Sequence, residues 1–506
     1  MATTSKAAVI LALALVSQAA LGCVLGAVYN LPIPFETYAA GAAGALVASF
    51  AIVAYVQRTP FTASDVVIAA GARDEAATWR VPDGLVNAAS ALSVVALLLT
   101  IATGFVGSAN PLANFNMTFF WIVFTLGLTY LTAIVGDVYA WANPWRTLCR
   151  LAERFDPTLF RGAVRYPANL GYYPALALYM ALIWIELFGS IRPATLSSIL
   201  IAYAALNVAM AWLLGKVAWF RYGELFSVFF RLIGLIAPVQ YLPTAASIKD
   251  QYLLRIRKPF LPLLETRAEH ASLLLFVLFM LSSTAFDGAH ETLPWVTMFW
   301  QGIYPVISSL VAEPYSFWVR IYYAWQTAML VLSPFVYLAL YLALLWLAKR
   351  LTEIDLSLRA LALRFAFTLV PIALVYNVAH YFGELLSQGL LIIRMASDPF
   401  SAGWDLFGTG RWLTTPVVLD AGIVWHTQVA VILAGHIVSV YLAHIEALKV
   451  FPSRGRAILS QVPLLALMVL LTTLGLWILS LPIDAGVTAA PPDASGLTSD
   501  TMRRLG

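Results

Sequence analysis

The sequence predicts an all-α, polytopic integral membrane helix bundle of about eleven transmembrane helices, with the N-terminus cytoplasmic and the C-terminus outside. Three observations carry that expectation. Of 506 residues, 61% are hydrophobic and only 11% charged, with a mean hydropathy of +0.83, whereas soluble domains carry about 25% charged residues. The apolar residues gather into runs of about 20 or more, the length that crosses a hydrocarbon core of ~30 Å. Lysine and arginine fall almost entirely on alternate connections. A soluble fold would have too little polar surface to cover its core.

Reading apolar runs against their breakers gives spans near 7–28, 38–56, 85–107, 117–136, 170–189, 194–214, 268–285, 320–348, 364–392, 420–448 and 460–481. The first has one lysine, Lys6, before a core too long for a cleavable signal, and reads as an uncleaved span. Runs beyond 25 residues should tilt or protrude. With the N-terminus inside, cytoplasmic segments hold 24 of the 30 Lys and Arg. The outside holds Arg192, Arg320, Arg394, Arg411, Arg503 and Arg504. That asymmetry is what the positive-inside rule requires, and shifting the map by one span destroys it. Two cysteines, Cys23 and Cys149, exclude a disulfide framework or a Cys-rich metal site.

Two cytoplasmic stretches read as helices lying on the membrane. Asn143-Pro144 is an N-cap followed by proline at the first helical position. Beyond it Trp145, Leu148, Leu151 or Ala152, and Phe155 recur on one face, and Arg146, Arg150 and Arg154 on another, which suits an interfacial helix. Glu224 to Ile236 is more apolar and reads as a second such helix or a short re-entrant segment. The whole of 1–483 is expected to form one transmembrane domain, whose second half, 268–481, carries the polar site. The Pro/Ala/Ser-rich stretch 484–506 is expected to be a disordered tail on the outer side.

Ionisable groups inside a bilayer cost at least ~2.5–3.5 kcal/mol each at a helix centre, so they mark function by default. The first half is nearly free of them. Glu186, near the outer end of its span, reads as a snorkelling or helix-pairing residue. All six histidines, His270, His290, His380, His426, His436 and His444, lie in the second half. His270 sits at a cytoplasmic helix start and reads as solvated.

The ninth span carries Asn377, His380, Tyr381, Glu384, Ser387 and Gln388 on one continuous face at helical spacing. The tenth carries His426, Gln428, His436, Ser439 and His444, with His426 near the outer mouth, His436 central and His444 near the cytoplasmic end. Eighteen residues of helix separate the first from the last by ~27 Å, so His444 falls outside any outer cluster. Asp287, His290 and Glu291 follow the seventh span at the outer level. The expected site therefore joins the carboxylates Glu384 and Asp287, as catalytic groups, to His380, His436, His426 and His290 as metal ligands. Imidazole and carboxylate suit a zinc-like divalent metal ion, which makes hydroxide at neutral pH with a carboxylate as base. No HExxH-type spacing occurs.

At these residues the chain resembles a known family. The stretches Gly136-Asp137-Val138-Tyr139-Ala140-Trp141-Ala142-Asn143-Pro144-Trp145-Arg146-Thr147, Leu281-Ser282-Ser283-Thr284-Ala285-Phe286-Asp287-Gly288, Val378-Ala379-His380-Tyr381-Phe382, and Gly435-His436 to Ala443-His444 are similar to bacterial polytopic membrane proteins named membrane-bound fenitrothion hydrolases. The similarity spans residues 115–480, with Ile445 standing where an aspartate is expected. The resemblance implies a multi-pass protein of the bacterial inner membrane that hydrolyses aryl phosphorothioate triesters and releases a nitrophenol. Its partners would be the lipid bilayer and an apolar small-molecule substrate, with no nucleic acid; it assigns no ligand residues. Two other readings stay open. Intramembrane His and Glu suit a transporter or ion-coupled permease, and His380 with His436 suits axial ligation of a single haem in a redox subunit. The histidine spacings of 10 and 8 on the tenth span do not suit a two-haem relay.

Overall fold

The structure, a computed structural model, describes residues 34–57, 78–243, 251–311 and 313–481. Among them ten helices are long and apolar enough to cross a membrane. In chain order these are α1 (Phe35–Val56), α2 (Asp83–Val106), α3 (Phe115–Val135), α5 (Ala168–Phe188), α6 (Pro193–Leu214), α8 (Ala271–His290), α9 (Tyr315–Thr352), α10 (Leu358–Ser397), α11 (Ala421–Val450) and α12 (Arg454–Ser480). Among the shorter helices between them are α4 (Pro144–Ala152) and α7 (Leu225–Gly234). The chain is a multi-pass membrane protein, and each described span matches one read from the sequence. The first expected span, 7–28, and the tail over 484–506 lie outside the described residues.

The bundle is built around α8 and α10, in which 78% and 67% of the apolar window is buried against 17–28% for most of the outer spans. Helix α8 packs on α5, α9, α10 and α12, and α10 packs on α3, α8 and α11. Lipid is as apolar as leucine, so helices associate in a bilayer by close packing rather than by burying apolar area. Gly435 shows how tight this is, because a Cβ there would lie 2.3 Å from the Val375 side chain. Hydroxyls and amides close the remaining seams: Ser282 meets Ser333 at 2.8 Å between α8 and α9, and the Gln428 amide donates to the Ala379 carbonyl at 2.9 Å between α11 and α10.

The cytoplasmic side is more elaborate than hydropathy suggests. Strands β1 (Thr78–Arg80), β2 (Val239–Pro243) and β3 (Tyr252–Ile256) form a small antiparallel sheet in the order β1-β3-β2. Trp79 stands opposite Leu254, and Tyr241 opposite the same residue on the other side. Hydropathy is blind to this sheet because its strands are short and half polar. The chain leaves α3 over Gly136, which is packed against β2 and whose φ of +87° and ψ of 179° suit glycine; a Cβ there would sit 2.4 Å from the Val239 carbonyl oxygen.

Helices α4 and α7 correct the surface-helix expectation. Trp145 and Cys149 of α4 are fully buried against protein, while Phe155, expected on the same apolar face, lies beyond the helix and is 93% exposed. Helix α7 follows the re-entrant alternative. Seven of its ten residues are buried, among them Val228, Phe230 and Ile233 with no exposed surface. It packs on α3, α5 and α10. Its Phe226 ring lies 4.8 Å from Phe124, halfway along α3, so its N-terminus is deep in the bundle. Its C-terminus returns to the cytoplasmic end, where Arg257 donates to the carbonyl of Gly234 at 2.9 Å and complements the negative end of the helix.

Candidate functional site

The two most buried helices bring their ionisable residues together. Helices α8 and α10 both run outward in the orientation that the charge asymmetry gives, so Asp287, three residues before the end of α8, and His380, in the outer half of α10, meet at one level. The Nε2 of His380 lies 2.9 Å from Oδ2 of Asp287. The neighbouring Tyr381 hydroxyl donates to the same carboxylate oxygen. Two donors on one carboxylate hold it as the acceptor at the centre of the site. With the His380 proton on Nε2, its Nδ1 is left as an acceptor. Among the described residues that Nδ1 takes no hydrogen bond, and it faces Gly288, where a Cβ would stand 3.8 Å away.

Glu186 completes the arrangement from α5. Its carboxylate lies within reach of the Tyr381 hydroxyl and of the charges on Asp287 and His380. Glu186 and Tyr381 line a half-open cleft with Thr125, Ser283, Thr284 and Asn377, walled by Phe226, Phe229 and Phe230 of α7. Its volume of about 50 Å³ holds a few water molecules, each needing roughly 10–15 Å³. Two polar atoms at this level, Ser283 Oγ and Asn377 Oδ1, are buried without a protein partner. Such groups are ordinarily satisfied by water, which makes the cleft a wet one. The four side chains form a sequence, from Glu186 on the cleft wall through Tyr381 and Asp287 to His380.

The expected residues divide as follows. Asp287, His380 and His290 stand at one level. His290 bonds the Asp287 carbonyl through its Nδ1 at 2.7 Å, with that nitrogen 4.0 Å from the Asp287 carboxylate, and its ring stacks on Phe286 at 5.5 Å. Its Nε2 lies 3.9 Å from Glu291. Glu384, one turn outward from His380, accepts a hydrogen bond from Gln388. His436 is kept apart: its Nδ1 bonds the Ile432 carbonyl at 2.8 Å and its ring lies 5.9 Å from that of Tyr376, one turn deeper than His380. His426 is exposed at the outer mouth, bonded to the Gly422 carbonyl at 2.7 Å and 3.5 Å from the Tyr38 hydroxyl. His444 sits between Gln461 and the Gln57 carbonyl at the cytoplasmic end. The convergence is thus between the seventh and ninth spans, which run parallel, in place of the antiparallel ninth and tenth.

Two members escaped the sequence reading. Tyr381 stood on the polar stripe without a role, and its adjacency to His380 was the available signal. Glu186 was read as a pairing residue, although it is the one carboxylate within the first-half spans. Among the described residues no three His, Cys, Asp or Glu side chains converge as a metal-binding group. No protein-family model matches the chain, nor does any curated protein or solved structure.

Proposed function

We propose that the chain is a proton-coupled permease whose coupling site is the sequence Glu186, Tyr381, Asp287 and His380 in the outer half of the bilayer. The observation that supports this most is the shared Tyr381 hydroxyl, a group able to give a proton to Asp287 while taking one from Glu186. Protonated Glu186 loses its proton to the Tyr381 oxygen as Tyr381 passes its own to Asp287, which leaves the tyrosine neutral, Glu186 ionised and Asp287 protonated; His380, with its proton on Nε2, holds the Asp287 carboxylate in place. Proton-handling carboxylates and histidines are the ordinary reason for ionisable groups at such depth. A wet cleft gives them an aqueous partner. Proteoliposomes holding a pH-sensitive dye test this reading. Wild type should dissipate an imposed pH gradient, and Glu186→Gln and Asp287→Asn should not. Equal flux in all three, or none in wild type with any candidate solute, rejects it.

One observation favours a second reading, hydrolysis of an apolar organophosphate triester. An imidazole oriented by a carboxylate, with its other nitrogen free, is the arrangement of a general base. An uncharged triester partitions into the bilayer in which these helices lie. His380 Nδ1 would take a proton from water as the water oxygen bonds to phosphorus and the bond to the aryl oxygen breaks. Nitrophenolate then leaves without acid assistance. The donors present do not form a metal site in this conformation, so no step is routed through a metal. Release of nitrophenol by membranes holding wild type, lost in His380→Ala, would establish this reading; its absence from wild type removes it.

A further inference from the structure

The connection between α10 and α11, residues 398–420, takes no part in either functional reading. It carries neither helix nor strand, and a loop of that length without secondary structure is uncommon unless it has a task. Its own polar groups nonetheless hold it firmly. The Asp398 carboxylate accepts from the amides of Ala402 and Gly403, both at 2.8 Å. Asp405 accepts from the Gly410 amide at 2.7 Å and from the Ser397 hydroxyl at 3.1 Å. The Ser397 oxygen accepts in turn from the Phe407 amide at 2.9 Å. Both carboxylates are spent on the shape of the loop.

What this scaffold turns outward is apolar. Trp404, Leu406, Phe407 and Trp412 are all exposed, Phe407 by 70%. A loop fixed in shape has already given up much of the entropy that binding would cost, and apolar patches of this kind mark interaction surfaces. Two contacts show where the patch lies. The Thr409 hydroxyl donates to the Ile393 carbonyl at 2.9 Å, and the Val417 amide donates to the Ser387 carbonyl at 3.3 Å. The loop therefore runs back antiparallel along the last turns of α10 and lies beside the outer end of a span. Over those same turns α10 exposes Leu386, Leu390 and Ile393, spaced as one helical face. On a span such an apolar stripe faces lipid, and the loop continues it.

We infer that residues 404–418 are an anchor in the outer leaflet, with Trp404, Leu406, Phe407 and Trp412 seated at the boundary between headgroups and acyl chains. Three features favour lipid over a protein partner. The patch is continuous with the exposed stripe of α10. Indole rings concentrate at the membrane interface, where their apolar body and polar N–H meet matching surroundings. Apart from Asp405, the stretch carries one charge, Arg411, and arginine reaches headgroups while its stem stays among apolar groups. The connection that follows α10, the helix carrying His380 and Tyr381, is thus fastened to the bilayer surface.

A probe on the loop of the full chain tests this. Phe407→Cys, labelled with the fluorophore NBD and reconstituted in phospholipid nanodiscs, should lose most of its emission when the lipid carries a nitroxide near the top of its acyl chain. Iodide added to the buffer should remove little. Wild type labelled in parallel gives the background from Cys23 and Cys149. Trp412→Cys, at a second point of the patch, should behave alike, and it decides the matter should Phe407→Cys fail to fold. Strong quenching by iodide with none by the nitroxide lipid would overturn the anchor, because the loop would then stand in water. Quenching by neither would overturn it as well, because protein, a second copy of the chain or a partner, would then cover the patch. Proton flux and triester hydrolysis are read by separate assays, so the anchor stands or falls independently of both.

Discussion

If Asp287 and His380 form the centre of the site, removing either should cost far more than removing both should suggest. At 2.9 Å an ionised Asp287 and a doubly protonated His380 imidazolium attract by about 6 kcal/mol at an effective dielectric of 20. Most of that is offset by the desolvation both groups undergo. Breaking one member of such a buried pair costs roughly 3–5 kcal/mol, because the other is left uncompensated. In Asp287→Ala the His380 and Tyr381 donors both lose their acceptor; in His380→Ala the carboxylate keeps only Tyr381. The double variant leaves no orphan charge. The two single losses should therefore exceed the double loss by about 2–3 kcal/mol in a double-mutant cycle. Equilibrium unfolding of the four proteins in mixed micelles measures this. Tyr381→Phe serves as a neutral reference, expected to cost about 1 kcal/mol for one hydrogen bond. Additivity of the Asp287 and His380 losses within 0.5 kcal/mol or so would mean that the two side chains do not share a site, and the functional readings built on them would fall together.

Three other outcomes follow from particular contacts. Gly288→Ala places a Cβ 2.8 Å from Ile478 Cγ2 and 3.8 Å from His380 Nδ1, and overpacking of this kind should lower stability by about 1–3 kcal/mol. Adding Ile478→Ala should recover that stability in thermal unfolding yet leave the Nδ1 side covered, so a double variant with wild-type nitrophenol release would exclude His380 as the base. Gly136→Ala should cost about 1–3 kcal/mol from its positive φ alone, with a further penalty from the clash with Val239; a melting temperature equal to wild type would contradict the β2 packing. Asp137 lies beyond the end of α3, and burial pushes its carboxyl up to about 6 against the opposing pull of Arg231. A raised carboxyl binds a proton in the folded chain before the unfolded one, so stability should rise as pH falls from about 6 towards 4 and be lost again above 6. The span is on the order of 3 kcal/mol, and Asp137→Asn should flatten it in the same unfolding assay.

The spans were legible because membrane length and hydropathy impose a period that no tertiary contact overrides. The limits of α6, Pro193–Leu214, differ by one residue at most from those read off the chain. Helix α7 was harder to place. A ten-residue apolar helix satisfies the surface and the interior equally by composition, and only its neighbours decide. The neighbours come from α3, α5 and α10, distant in sequence. The site was half legible for a related reason. Helical spacing puts His380 and Tyr381 on one stripe and Asp287 at the matching depth, so level could be read, but azimuth could not. His436 has the right depth and the wrong direction, because its Nδ1 bonds back to its own helix at Ile432. Glu186 looked isolated only because its partners lie about 100 and 195 positions further along the chain.

The two buried carboxylate clusters, around Asp287 and around Glu224, differ in chemistry, and the difference argues for separate tasks. Around Asp287 the groups alternate between those that give and those that take a proton: a carboxylic acid, a phenol, a carboxylate and an imidazole. A proton can pass from Glu186 through Tyr381 to Asp287 without leaving any of their oxygens over-bonded. Around Glu224 the hydrogen-bonding neighbours are donors, two to each carboxylate oxygen: Tyr203 and the Phe226 amide on one, Asn143 and the Ser227 amide on the other. A chain that needed no more than helix pairing could have met both demands with serine and asparagine, as it does between α8 and α9 through Ser282 and Ser333. It has instead placed a carboxylate in each, Asp287 beside the His380 imidazole and Glu224 at the capped start of α7.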